Sequence, residues 1–506
     1  MKQTKRPVKS NFLSNIFIVG SLLLTGTSIS ANEVRSNAVS RWVDVYFNND
    51  SIQWVCSYTL NDYPSVEFEP SNLTGEDGSI LYDHFKISSP SSETSYFNLS
   101  DFESMSIGQH VLRLYIGTDR SMDEISSKLN YEHGLVSVKS DFDSENINNI
   151  PMNIRGRGNS SWDWPKKPYR LKFDYKVALP GLRPAKNFVL LANYVDDTLL
   201  RNSVAFEAGR LLGMPFNFSS IPVDVYFNGI YKGAYQLTEK IAIGNQFVDI
   251  DKNKGIIWEH AAGPQGEDEY VYTTPGYNMY MTVKDPDFAE VAYANKMTPE
   301  ELFLMWQEDY NMIENHVING TPWEVIDLDD FVNYIIVQNL SCNYDFSFPF
   351  SVFAYKNDVS DKLHFGPLWD FDKAFNFSQM KPDHRYLIYM TTPGALMFTD
   401  MIRHPDFVKA YDKKWREFTE VHLPKLLEYI DTQAQIIKAS ALADGQIYPN
   451  STNYDNMERL SCETFDKSVE MLKEWIIEQA ELISNDPSFL LLKNEDLRSE
   501  IELIEE

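Results

Sequence analysis

Six basic residues fall between positions 155 and 172 of an otherwise acidic chain. The run Asn153-Ile154-Arg155-Gly156-Arg157-Gly158-Asn159-Ser160-Ser161-Trp162 carries two of them. Lys166-Lys167-Pro168-Tyr169-Arg170-Leu171-Lys172-Phe173 carries the other four. Two glycines allow backbone N–H groups to approach an anion closely, and hydroxyls and cations surround them. Over 169–173 the apolar Tyr169, Leu171 and Phe173 alternate with Arg170 and Lys172. A strand there puts both cations on one face. Two readings follow: a cradle for phosphate, or a glycine turn leading into a solvated basic strand.

A second set of residues is acidic. Asn343-Tyr344-Asp345 stands just past a helical pattern, and Gly366-Pro367-Leu368-Trp369-Asp370-Phe371-Asp372 follows about twenty residues later. Val352-Phe353-Ala354-Tyr355-Lys356 reads as a strand, Asn357-Asp358 as a turn and Leu363-His364-Phe365 as the return strand. The hairpin would therefore carry carboxylates at both ends. Oxygen ligands so placed suit a hard divalent cation, and one carboxylate would remain to accept a proton or orient a nucleophile. The plainer reading is that these aspartates cap a helix and a turn. Glu239, closing Tyr235-Gln236-Leu237-Thr238-Glu239-Lys240, would pair with a cation of the basic strand or sit at an exposed strand end.

Other chemistries lack their signatures. There is no G-x-S-x-G elbow, no H-E-x-x-H, no cysteine–histidine zinc pattern, and neither a Rossmann nor a Walker fingerprint. Paired acids for glycoside hydrolysis remain open, because carboxylate separation in space is not written in the sequence.

These residues need elements to position them. Val223–Phe227 and Ile230–Tyr235 flank Asn228-Gly229, which supplies the positive φ angles of a two-residue hairpin turn. Residues 197–212 have helical spacing. Thr298-Pro299-Glu300-Glu301 joins a capping box to proline at the first helical position. Asp327 opens a helix running to Leu340, and 404–420, 423–444 and 463–486 are amphipathic and expected to pack as a bundle. Residues 40–135 read as short strands, with a polar loop at 88–95.

The chain has 506 residues, 43 % apolar and 14 % aromatic, a globular composition. It carries 45 basic and 73 acidic residues, a balance of −28. That argues against nucleic-acid partners, which need a broad basic face. Lys2, Lys5, Arg6 and Lys9, the apolar run 15–24 and the small Ser28 and Ser30 form a secretory signal pattern, too short to span a bilayer. Removal of residues 1–30 would leave no transmembrane span and a balance of −32. Cys56, Cys342 and Cys462 are too few and too scattered for a disulfide scaffold and are expected to be buried thiols.

Taken in order, the motifs resemble those of the CotH kinase family. Ile154–Trp162 with Lys166–Arg170 looks like that family's signature. The likeness continues through 191–196, 200–202, 228–239, Asn343-Tyr344-Asp345 and 367–372, and covers about residues 120–485. It implies an atypical protein-kinase-like fold with a helical C-terminal region, and with the short strands of 40–135 read as a small preceding β domain the fold class is α+β. The expected division is a signal peptide at 1–30, a small β domain at 31–135 with a sandwich as one reading, the kinase-like domain at 136–487 and an acidic tail at 488–506. The resemblance further implies ATP and Mg²⁺ (or Mn²⁺) as cofactors and a Ser/Thr-rich protein acceptor, and the signal pattern at 1–30 implies export to the cell surface or beyond. Asp345 would be the catalytic Asp and Asp370 the metal-holding one. Lys172 would be the strand lysine on phosphate, paired with Glu239. Arg155, Gly156, Arg157, Gly158, Asn159 and Ser160 would cover the phosphates, with Lys167 as the alternative to Lys172 and Tyr231 stacking on adenine. Ser351 stands where the family has a metal-binding Asn, and a hydroxyl is the weaker ligand. The alternative is a catalytically weak or inactive surface protein of the same fold that binds a protein or glycan.

Overall fold

The computed structural model describes residues 42–485, apart from short internal stretches of which 262–269 and 377–394 are the longest. The expected signal peptide, the acidic tail and Cys462 lie outside the described residues. Helices and strands are mixed, as an α+β chain requires.

The chain begins with two small antiparallel sheets. β1 (Trp42–Asn48), β2 (Gln53–Thr59) and β6 (Phe102–Gly108) pair in the order β2-β1-β6. β3 (Ser65–Thr74), β4 (Ile80–Ser89) and β5 (Ser92–Asn98) form the other. The loop expected at 88–95 is mostly strand, because Ile87 and Ser89 pair with Ser95 and Ser92 in a tight hairpin.

Seven strands then close a barrel. They are β7 (Leu112–Thr118), β8 (Glu132–Lys139), β9 (Ile147–Gly156), β10 (Tyr169–Val177), β11 (Ala185–Leu191), β12 (Ile221–Phe227) and β13 (Ile230–Glu239). Their order around the wall is β10-β11-β13-β12-β7-β8-β9, with β7 and β12 parallel and every other pair antiparallel. Alternate residues such as Leu114, Ile154, Leu171, Phe188, Leu190 and Leu237 fill the interior and are almost wholly buried. Asn228 and Gly229 take φ of 48° and 84°, the two-residue turn expected between β12 and β13. The domain boundary expected at 135 falls inside β8. β7 and β8 belong to the barrel because they bridge β12 and β9, a non-local pairing that no local signal announces.

Beyond the barrel lie α1 (Arg201–Leu211), α2 (Phe288–Asn295), α3 (Pro299–Ile318), α4 (Leu328–Ser341), α5 (Leu396–Ile402), α6 (Pro405–Glu417), α7 (Leu423–Ile447) and α8 (Phe465–Asn485). α3, α4 and α5 pack on a second sheet, β14 (Ile256–Ala261), β15 (Val271–Thr273), β16 (Tyr280–Asp285), β17 (Val352–Lys356) and β18 (His364–Phe365), in the order β15-β16-β14-β17-β18, whereas α7 lies against β13 and β2. The Thr298–Glu301 capping box forms at the start of α3, and Asp327 caps α4. α1 starts four residues later than its periodicity suggests, because the Asp196 carboxylate accepts hydrogen bonds from the backbone N–H of Thr198 and of Arg201 and holds 196–200 in a turn. A π-helical turn (Phe418–His422) joins α6 to α7. Pro424 follows it and has no N–H to give the preceding turn, a usual cause of such a bulge.

The first sheet is fastened to the C-terminal helices. Lys438 of α7 pairs with Glu103 of β6 at 3.3 Å and Asp466 of α8 at 2.8 Å, and its Nζ lies 4.8 Å from the centre of the Tyr46 ring. Gln53 of β2 donates to the same two carboxylates. Cys342 is buried, its sulfur accepting from the Gln479 side chain, and Cys56 is half-buried. Among the described residues no helix is long and apolar enough to cross a membrane.

Candidate active site

A cleft of about 300 Å³ opens between the outer barrel wall and the β14–β18 sheet. Its acidic end is built by two short segments. Cys342 ends α4 in a left-handed conformation at φ 44°, which turns the chain into the 3₁₀ turn carrying Asp345. After β18 the chain passes Asp370, itself at φ 67°. Buried Asn343 ties the two together: its Nδ2 donates to the Asp370 carbonyl at 3.3 Å and its Oδ1 accepts the Asp345 N–H. The Phe371 N–H donates to Asn202 of α1, Asn202 donates to Asn193, and Asn193 donates to Gln236 of β13. This chain of amides connects the barrel to the segment that carries Asp370 and Asp372.

Carboxylate oxygens of Asp345, Asp370 and Asp372 come within 4.8 Å of one another. Lys373 Nζ is 3.7 Å from Asp345, and Ser351 Oγ donates to Asp370 at 3.2 Å. Burial first, and the neighbouring Asp370 next, push Asp345 up to about 6, against the pull of Lys373. Burial and then the same two carboxylates push Asp372 well above the usual range. Three crowded carboxylates are costly unless a proton or a cation is shared among them. Hard oxygen donors without nitrogen or sulfur suit Mg²⁺ or Mn²⁺.

The opposite wall is cationic. Arg155, Arg157, Arg170, Lys240 and Lys284 line it, with Gly158, Asn159 and Ser160. Arg157 stacks on Trp369, its guanidinium carbon 5.5 Å from the ring centre. Lys284 pairs with Glu259 at 2.6 Å. Burial and then the nearby Arg170 press Lys240 down to about 8. That lies below its unfolded value, so between about pH 8 and 10 the unfolded chain binds more protons and stability from this group rises with pH. Lys240→Met is therefore expected to stabilise the empty protein near pH 7 by on the order of 2 kcal/mol. The gain should shrink toward pH 10, as read from melts at the two pH values. An equal gain at both would contradict it.

Several expected site residues fall elsewhere. Strand register separates Lys172 from Glu239. Lys172 pairs with Asn187 on the outer wall, whereas Glu239 lies opposite Phe188 on the inner face. Lys172 is exposed, outside the cleft, and Glu239 is fully buried with its carboxylate accepting from the Ser219 N–H. Gly156 spends its N–H on the Ser127 carbonyl, and an added Cβ would sit 2.2 Å from the Trp162 ring. That glycine admits an indole, not an anion. Gly158, at φ 88°, does face the cleft. Lys167 donates to the carbonyls of Trp162 and Trp164 and pins the loop. Lys166 is fully buried against Asp444 at 2.6 Å. Tyr231 donates to Asp224 at 2.9 Å and does not line the cleft. Lys240, Lys284 and Glu259 were missed. Lys240 stands next to Glu239 and was within reach of the sequence, but Glu259 and Lys284 carry no local signal.

The family model described as CotH kinase protein matches residues 154–483. The chain belongs to the CotH kinase family. The match begins within β9 and ends near the close of α8, so this CotH chain holds its whole cleft inside the matched segment. No curated protein matches the chain.

Proposed function

We propose that this CotH-family protein is an exported protein kinase that transfers the γ-phosphoryl group of ATP to Ser or Thr of a surface or extracellular protein. The observation that carries the reading is the facing of three carboxylates and five wall cations across one cleft. Phosphoryl transfer asks mainly for positioning and charge neutralisation, and this arrangement offers both. Asp370 and Asp372 would hold Mg²⁺, which when bound neutralises polyphosphate charge. Asp345, raised yet still largely ionised at neutral pH, would hold the acceptor hydroxyl and take its proton as the oxygen bonds to the γ-phosphorus and the bond from that phosphorus to ADP breaks. Arg157, Arg170 and Lys240, rather than Lys172, would carry the phosphates. Signal-directed export rests on residues 1–30.

The test is incubation with labelled ATP, Mg²⁺ or Mn²⁺, and a Ser-rich acceptor. Transfer should require the divalent ion and stop on chelation. Nucleotide at 100 times its dissociation constant should stabilise the fold by about 2.7 kcal/mol. Absence of both transfer and stabilisation would refute the reading. Ser351 favours a second reading, a binder of weak or no activity, because its hydroxyl is turned to Asp370. Stabilisation without transfer would support that one.

A further inference from the structure

The outer barrel wall beside the cleft carries like charges where a sheet should avoid them. Arg155 of β9 lies directly opposite Arg170 of β10 in the antiparallel register. Such a pair destabilises a sheet unless something of opposite sign joins it. The Nε atoms of both guanidinium groups are buried and have no hydrogen-bond partner. Two residues along β10 on the same face stands Lys172. The Arg155 guanidinium carbon lies 5.1 Å, and the Lys172 Nζ 5.5 Å, from the centre of the Tyr131 ring. Lys128 completes the group: it accepts from Arg155 through its carbonyl and donates through Nζ to the Gly158 carbonyl at 3.1 Å. Among the described residues none of these four cations forms an ion pair, although acidic residues outnumber basic ones by 28 in the whole chain. Asp174, next on that face of β10, is exposed and pairs with none of them.

We propose that this strip, Lys128, Arg155 and Lys172 around Tyr131, is where an acidic stretch of the protein acceptor lies, so that hydroxyls flanked by Asp or Glu are preferred. The role rests on the kinase reading. The strip runs directly into the cleft, since Arg155 lines both, and Arg170 and Gly158 of the cleft adjoin Arg155 and Lys128. A peptide laid along it would give its carboxylates to the unpaired cations and its backbone to the tyrosine face, with its hydroxyl entering toward Asp345. A nucleic acid or an anionic membrane would need a far broader basic surface and would meet the acidic remainder of the molecule.

The test uses the full chain and fluorescein-labelled peptides of alternating Ser and Glu, or Ser and Lys, followed by anisotropy without nucleotide. The acidic peptide should bind about tenfold or more tightly than the basic one, and its binding should weaken as salt rises. The double variant Lys128→Glu/Lys172→Glu should lose about tenfold in affinity for it. Its melting temperature should not fall and its ATP-dependent shift should persist, which separates lost docking from lost folding. Equal binding of both peptides, a double variant that keeps the preference, or tighter binding of single-stranded RNA or phosphatidylserine vesicles would overturn the proposal. Because the preference is read without nucleotide, failed phosphoryl transfer would count against the kinase reading alone.

Discussion

Asp345→Asn is expected to lower phosphoryl transfer by about 10²–10⁴-fold while the ATP-dependent rise in melting temperature persists. The amide matches the carboxylate in size, so the Asn343 contact that sets this turn is kept. What is lost is the group able to take the acceptor proton. Removing one of three crowded carboxylates also relieves repulsion in the cluster, since Asp345 helps raise the proton affinity of Asp372. The folded variant should be no less stable than the parent. Initial rates with labelled ATP and a melting curve with and without nucleotide decide the matter. Label transfer at the parental rate would remove Asp345 from the chemistry.

The largest loss of stability is expected from Asp444→Ala. Asp444 Oδ1 lies 2.6 Å from Lys166 Nζ and also accepts the Ala234 N–H at 2.8 Å. Lys166 has no exposure to solvent and sits against the faces of Tyr235 and Tyr448. Burial already presses its amine below the ordinary lysine range, and Asp444 is the main force holding the proton on. Removing one partner of such a pair costs about 3–5 kcal/mol. Lys166→Met in the same chain should recover much of that by withdrawing the stranded charge. Chemical unfolding of both variants measures it, and a loss below about 1 kcal/mol in the single variant would show the pair to be dispensable.

Local elements were the most legible part of the sequence. Asn228-Gly229 specified its hairpin because only residues tolerant of positive φ make that turn, and Thr298 with Glu301 specified the start of α3 because their side chains satisfy its first N–H groups. The acidic half of the cleft was legible too, since Asp345 and Asp370 bracket one hairpin and are joined by neighbours in sequence. The cationic half was read only in part. Alternation put Arg170 and Lys172 on the same face, but which of them looks into the cleft depends on where the second sheet docks. Glu239 failed for a related reason: its facing is decided by pairing with Phe188, some fifty residues earlier. Lys166 looked like one more cation of the loop, and its burial depends on Asp444, at the far end of the chain.

The family match starts at residue 154, yet the barrel it enters is already three strands under way. β7, β8 and most of β9 precede that point, and they are the pieces that bridge β12 to β10. A fragment cut at the matched limits would hold every residue of the cleft and still lack the closure of its wall. β10 and β12 would become free edges with unpaired N–H and C=O groups, and the apolar interior would face water. Such edges recruit other chains, so the fragment would tend to aggregate rather than fold. The smallest piece able to fold is thus longer than the family's shared segment, reaching back at least to Leu112.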